Sequence, residues 1–269
     1  MSILPSFKQI RSLVGSLFPE KMQMRLVGLL SQVFWSFRKY FLGVQIDLDE
    51  EFLSNWNEVK SFSSIDRNRN RNIYQFIKLH NELFKGKNTN LIELGVDRGA
   101  SLITIAKFTK SNSTFIGIDS FAKFANEIKT KSTSKIDTDY QRKYVNYIER
   151  FKNFEIEKLI SKIENIIKGK ESKLHLIQCH FPISLSKNNL NFLENKKYLF
   201  AHIDFDLFKS TDDAINLIFP RLEKNGIVLF DDFNFINQEG VKRAVYESNL
   251  IDKKKCIELE TGQLLYINF

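Results

Sequence analysis

From residue 89 onward the chain repeats one pattern: a short apolar run, most often stopped by Gly or Asp, followed by a longer stretch with helical spacing. The runs are "TNLIELG", "STFIGIDS", "KLHLIQC", "YLFAHIDFD" and "GIVLFDDF". Each is too continuously apolar for a sheet with one wet face, so each reads as a strand buried on both sides. Such strands alternating with helices define an α/β fold, a doubly wound and mostly parallel sheet with helices on both faces. The chain closes with "KKKCIELETGQLLYINF", where Thr261 and Gly262 separate two strand-like runs and predict an antiparallel hairpin at the sheet edge.

The remainder is organised around this sheet. Residues 1–60 read as a helical extension ending near the acidic "DLDEEF"; residues 61–269 form the sheet domain, entered through a polar connector, "SSIDRNRNRN", and the helix "IYQFIKLHNELF". Residues 121–171 exceed what one crossover needs, and the spacing of "YVNYIERFKNFEIEKLISKIENII" predicts a helical lid inserted between the second and third strands. In "RLVGLLSQVFWSFRKYFLG", Leu26, Leu30, Val33, Phe37 and Phe41 recur at helical spacing between Arg25 and the basic Arg38 and Lys39. This amphipathic helix suits packing on the domain or on a second copy, as a homodimer; peripheral contact with a membrane surface is the other reading. No stretch reaches the roughly 20 apolar residues of a membrane span, and Pro5, Lys8 and Arg11 interrupt any secretory leader.

A net charge of +8 raises nucleic acid as a partner. The lysines are interspersed with glutamates, however, as in "EIEKLISKIENIIKGKE", and read as solvated helix faces with no nucleic-acid patch. Cys179 and Cys256 form neither a CxxC nor a metal-ligand spacing, which makes the reducing cytoplasm the default setting.

Three motifs fall at strand ends, the edge where open α/β sheets bind ligands. In "LIELGVDRGASL" the first strand ends in Glu93, Gly95 and Gly99 flank a tight turn, and Ser101 opens a helix. Glycines there let a ligand approach the backbone, and the free amides of a helix start can bind polar groups, although a ligand-free turn would carry the same residues. In "FIGIDSF", Asp119 ends the second strand about twenty residues later, where a carboxylate can accept from both hydroxyls of a ribose or cap a helix. The third motif is "HIDFDLFKST", read with "GIVLFDDFNF". Asp204 and Asp206, two apart on a strand, should point to one face, and the next strand ends in Asp231 and Asp232. Four carboxylates at neighbouring strand ends repel one another and raise their own pKa values unless a cation compensates, and oxygen-only donors suit a hard divalent ion such as Mg²⁺. Ser210 and Asp213 resemble a capping pair for the next helix, which leaves the four aspartates unexplained.

Together, "IELGVDRGAS", "GIDSF", "HIDFDLFKST", "PRLEKNGIVLFDDF" and the terminal "TGQ" resemble the macrocin O-methyltransferase family, metal-dependent S-adenosylmethionine enzymes that methylate sugar hydroxyls. The resemblance runs over residues 91–269 and implies a Rossmann-like methyltransferase sheet. It implies that Glu93, Gly95, Gly99, Ser101, Asp119 and Ser120 bind the cofactor, S-adenosyl-L-methionine, with Asp119 on the ribose hydroxyls. It further implies that Asp204, Asp231 and Asp232 hold Mg²⁺ and leaves Asp206 as general base. His180 is a second candidate base, whereas His202 lies deeper on its strand and reads as a core histidine. The chain departs from the family pattern at Ala122 and Lys123 and at Cys179, His180 and Phe181, near the adenine and acceptor regions.

The expected function is Mg²⁺-dependent methyl transfer to a hydroxyl of a sugar or glycosylated metabolite. A metal-dependent glycosyltransferase using D-x-D is the rival enzyme, but it leaves the glycine turn, Asp119 and the DDF strand without a joint role. A non-catalytic protein on the same fold is the third reading, against which the intact acidic cluster argues, since buried acids destabilise a chain that does not use them.

Overall fold

The computed structural model describes residues 49–122, 151, 153–234 and 239–269 of the chain. Two compact units emerge, residues 1–53 and 54–269. The amphipathic helix expected around residues 25–41 lies outside the described residues, as does most of the first half of the expected lid.

Residues 54–269 are built on a seven-stranded sheet of order β3-β2-β1-β4-β5-β7-β6. Its strands are β1 (Thr89–Leu94), β2 (Ser113–Asp119), β3 (Lys173–Gln178), β4 (Tyr198–Ile203), β5 (Leu222–Phe230), β6 (Cys256–Glu258) and β7 (Leu264–Ile267). The described helices are α1 (Glu50–Val59), α2 (Arg67–Leu83), α3 (Ala100–Phe108), α4 (Ile156–Ile167), α5 (Lys187–Glu194), α6 (Phe208–Ile218) and α7 (Glu239–Glu247). Strands β1 to β5 run parallel. The C-terminal hairpin is antiparallel, with β7 inserted between β5 and the edge strand β6. This is the doubly wound sheet that the apolar runs predict. The strand order reverses between β1 and β4, and the crevice at that reversal is where ligands bind in such sheets.

Strands β1, β2 and β4 are buried almost throughout, and their Ile, Leu and Phe side chains join those of β5 in the core. Full burial of each such side chain contributes about 1.5–3 kcal/mol. Strand β3 departs from the expectation of burial on both faces: only Ile177 is buried. It is the outermost parallel strand, with β2 as its one neighbour.

Two other local expectations are corrected. The segment "SSIDRNRNRN" is not a connector throughout, because α2 already starts at Arg67. The Asp66 carboxylate accepts from the amides of Asn68 at 2.7 Å and Arg69 at 3.0 Å, a cap worth about 1 kcal/mol. That start point puts Arg69, Asn70, Ile73, Tyr74, Ile77 and His80 on the buried face. Within the stretch 121–171, α4 packs against α3 and β3 and buries Leu159, Ile163 and Ile167 at helical spacing. Helix α6 starts at Phe208 with no side-chain cap, so Ser210 lies inside its first turn and Asp213 pairs with Lys209 instead. Among the described residues no helix is long and apolar enough to cross a membrane.

Candidate active site

The turn after β1 is left-handed at Gly95 (φ 95°), Asp97 (φ 50°) and Gly99 (φ 91°). A Cβ on Gly95 would sit 2.0 Å from the carbonyl oxygen of Asp204, and the Asp204 amide donates to the Leu94 carbonyl at 2.7 Å. Gly95 thus lets the exit of β4 lie against the exit of β1. At Gly99 the missing Cβ makes room for Leu159 of α4, whose Cδ1 would be 2.3 Å away. Both glycines therefore serve close approach within the chain. Ser101 is buried at the second position of α3.

Asp119 ends β2 and is held by the turns on either side. Its Oδ2 accepts from the Asp97 amide at 2.8 Å and its Oδ1 from the Phe121 amide at 2.7 Å. Burial pushes its pKa up to about 6, against the amides of Phe121, Asp97 and Val96, which favour the ionised form. Each oxygen keeps acceptor capacity beyond one amide, which suits a pair of ligand hydroxyls. The Ser120 hydroxyl takes the Ala122 amide at 3.3 Å and so tightens the turn that follows. Glu93 has a different setting. The parallel register pairs it with His202, its Oε1 lies 2.7 Å from His202 Nδ1, and both residues are fully buried. His202 is the inward partner of Glu93 and lies in the core.

The acidic group is built on the neighbouring strand ends. β4 stops at Ile203, so Asp204 and Asp206 are not on one strand face; Asp206 is left-handed (φ 60°), and that turn brings its carboxyl back to the group. Asp232, two residues beyond β5, is left-handed as well (φ 53°). Asp204, Asp206 and Asp232 each offer an oxygen within 4.8 Å of the others. The carboxyls of Asp206 and Asp232 are close neighbours in this group. Burial first, and then the neighbouring aspartates, hold the pKa values of Asp204 and Asp206 well above the carboxylate range.

Asp231 is placed apart from these three. The buried Arg69 lies with Nη1 2.7 Å from Asp231 Oδ2 and 2.5 Å from Asp232 Oδ1. Gln263 donates to Asp231 Oδ1 at 2.8 Å, and Asn72, one turn after Arg69, donates to Gln263 Oε1 at 2.8 Å and Thr261 Oγ1 at 2.9 Å. The "TGQ" segment thereby ties β7 to α2 behind Asp231. Burial pushes the Asp231 pKa up, with Arg69 opposing it. Arg69, Asn72 and Gln263 are site residues that the sequence analysis missed; the readable signal was Asp66 as a helix N-cap ahead of "RNRNRN". The structure does not bring His180 into the group: its backbone bonds to Ser184, and its ring makes no hydrogen bond or ion pair with the aspartates among the described residues.

Non-glycine residues with positive φ cluster on this edge. Asp97, Phe121, Asp206 and Asp232 each fall within three residues of the carboxyl ends of β1, β2, β4 and β5. Such conformations cost about 1–3 kcal/mol apiece and persist where the surroundings impose them, commonly at functional sites.

The sheet and its strand-end site define a class, a Rossmann-like α/β enzyme that works at the switch point. Within that class the chain belongs to the methyltransferase-domain family, which matches residues 92–233, more than half of its 269 residues. The DFD segment lies inside that match, so it belongs to a methyltransferase domain and not to a glycosyltransferase. The fold is similar to that of the O-methyltransferase NovP, at 17% identity and a TM-score of 0.57, over 77% of this chain and 81% of that one. It is similar also to CalS11, a calicheamicin methyltransferase, at 17% identity and a TM-score of 0.57, over 86% of this chain and 90% of that one. No curated protein matches the sequence.

Proposed function

We propose that the protein is a Mg²⁺-dependent O-methyltransferase that uses S-adenosyl-L-methionine to methylate a hydroxyl of a sugar or glycosylated metabolite, as in the macrocin O-methyltransferase family it resembles. The observation that carries this reading is the set of three carboxyl oxygens within 4.8 Å of one another on the same sheet edge as Asp119. An all-oxygen donor set of crowded acids fits a hard divalent cation. NovP, named as an O-methyltransferase, and CalS11, named as a calicheamicin methyltransferase, support oxygen of a small molecule as acceptor.

When bound, the cofactor supplies an electrophilic methyl group and the cation lowers the pKa of the acceptor hydroxyl. Asp119 would accept hydrogen bonds from the ribose hydroxyls, with its carboxylate already aimed by the amides of Asp97 and Phe121. Asp204, Asp232 and, once Arg69 yields it, Asp231 would hold the cation. Asp206, beside them, would take the hydroxyl proton as the new C–O bond forms. Gly95 sets the spacing between the two sides, because it lets the Asp204 backbone lie against the turn after β1; fixed spacing of this kind keeps two reactants in attack geometry.

The test is transfer of label from methyl-labelled S-adenosylmethionine to a panel of nucleoside-diphosphate sugars and glycosides, with Mg²⁺ or with EDTA. Label on a sugar oxygen that requires Mg²⁺ and is lost in Asp204→Ala supports the reading. Full transfer in EDTA would remove the metal from it, and label on nitrogen or carbon alone would remove the hydroxyl acceptor.

A further inference from the structure

Asp204, Asp206, Asp231 and Asp232 crowd the edge, and among the described residues a buried cation, Arg69 on the first turn of α2, reaches into them. One of its nitrogens, Nη1, lies 2.7 Å from Asp231 and 2.5 Å from Asp232. The two aspartates are not equivalent partners. Asp231 has a second anchor in Gln263, itself fixed by Asn72. Asp232 faces Arg69 on one side and the oxygens of Asp204 and Asp206 on the other. It is the hinge between the guanidinium and the three-oxygen group.

We propose that Arg69 is the site's built-in cation: it holds Asp231 and Asp232 together in the metal-free protein, competes with the divalent ion for them, and so sets the affinity of the site for metal. This rests on the metal reading above and gives Arg69 a role in setting the affinity for metal. The physical argument is charge balance. A guanidinium placed between two of the four acids offsets part of their mutual repulsion, so the metal-free state is tolerable, and the same two carboxylates remain attractive to a divalent ion. Binding that ion places two further positive charges near the guanidinium and draws Asp232, and with it Asp231, away from it. Arg69 therefore stabilises the empty site and weakens the filled one. It is a positioning residue, since it acts through the aspartates.

The consequence is specific in sign. Removing the guanidinium charge while keeping the bulk, in Arg69→Met, should lower the unfolding temperature in EDTA and at the same time tighten Mg²⁺ binding. A unit charge a few ångströms from a divalent ion repels it enough, even at the dielectric constant of water, for a change of about tenfold or more. The stability recovered on adding Mg²⁺ should accordingly be larger in the variant than in the wild type. Arg69→Lys keeps the charge but loses the reach to two carboxylates; it should bind Mg²⁺ like the wild type while unfolding somewhat earlier in EDTA.

The experiment is calorimetric titration of the full chain with Mg²⁺, beside thermal unfolding in EDTA and in Mg²⁺, for the wild type, Arg69→Met and Arg69→Lys, with all three purified in Mg²⁺. Tighter binding and a larger Mg²⁺-induced shift in Arg69→Met support the inference. Equal or weaker binding in Arg69→Met, with the wild type binding normally, overturns it and leaves the metal reading standing, because Arg69 would then only brace the aspartates. Failure of Arg69→Met to fold even in Mg²⁺ also overturns it, since the ion could not take over the charge. Absence of Mg²⁺ binding in all three proteins overturns the metal reading, and the inference falls with it.

Discussion

Glu93 and Asp119, on the β1–β2 side of the sheet edge, are held from within the chain: Glu93 Oε1 by His202, with Oε2 buried and without a hydrogen-bond partner, and Asp119 by two backbone amides. On the β4–β5 side, among the described residues, Asp231 and Asp232 meet the Arg69 guanidinium and Asp231 the Gln263 carboxamide, while burial and the neighbouring aspartates hold the pKa values of Asp204 and Asp206 up. The geometry of the first arrangement is fixed by these contacts. The second gathers like charges, which folding stability has to sustain. On the proposed reading, the first side places one ligand and the second activates another.

The comparison breaks most severely at Gly95, where the two sides touch. Gly95→Ala would add a Cβ 2.0 Å from the Asp204 carbonyl at a left-handed φ, and denaturant unfolding should show a loss of about 2–6 kcal/mol from overpacking and backbone strain together. Asp204→Ala should separate the sides instead: turnover should fall by about a thousandfold or more, the several kcal/mol expected of a lost metal contribution, while titration with S-adenosylhomocysteine stays unchanged. Its mirror image is Asp119→Ala, which should weaken S-adenosylhomocysteine about 10- to 100-fold, as for a lost charged hydrogen-bond acceptor, and leave Mg²⁺ binding intact.

Acidity sharpens the contrast with a smaller effect. The folded-state pKa of Asp119 is raised to about 6 from an ordinary 3.8, so the folded protein holds its proton more tightly than the unfolded chain. Its contribution to stability is fully present below the unfolded value and is lost as pH rises through about 6. Thermal unfolding in EDTA should therefore fall as pH rises over that window. Asp119→Asn should flatten that part of the profile, and the raised values of Asp204 and Asp206 should extend the decline to higher pH until Mg²⁺ is added. The smallest expected effect is that of Gln263→Leu, which removes the donor to Asp231 and should cost about 1–2 kcal/mol, measured by the same unfolding.

The sheet was legible because its signal is local. Runs such as "YLFAHI" are continuous apolar segments in the sequence, and burial on both faces of a parallel strand demands that. The aspartates were legible for the same reason, each standing just past such a run. What escaped depends on contacts far apart in the chain. Arg69 in "RNRNRN" looks solvated by composition, and its ion pairs with Asp231 and Asp232, some 160 residues later, help make its burial tolerable. Gly95 read equally as a ligand-facing glycine or as part of a ligand-free turn, and nothing local showed that the atom nearest its missing Cβ belongs to Asp204. Asp206 was placed on a strand face by its spacing, but the strand ends at Ile203 and a left-handed turn does the placing. Strand β3 is apolar enough to pass for a central strand, yet its place at the sheet edge follows from topology and not from its own residues.

The most direct test of the two-sided edge is calorimetric titration with S-adenosylhomocysteine in EDTA for the wild type, Asp119→Ala and Asp204→Ala, run beside a titration of the wild type with a UDP-sugar and Mn²⁺. The account predicts micromolar binding of S-adenosylhomocysteine to the wild type and to Asp204→Ala, clear weakening in Asp119→Ala, and no binding of the nucleotide sugar that depends on Mn²⁺ alone. Binding of the UDP-sugar with Mn²⁺ and none of S-adenosylhomocysteine would contradict it.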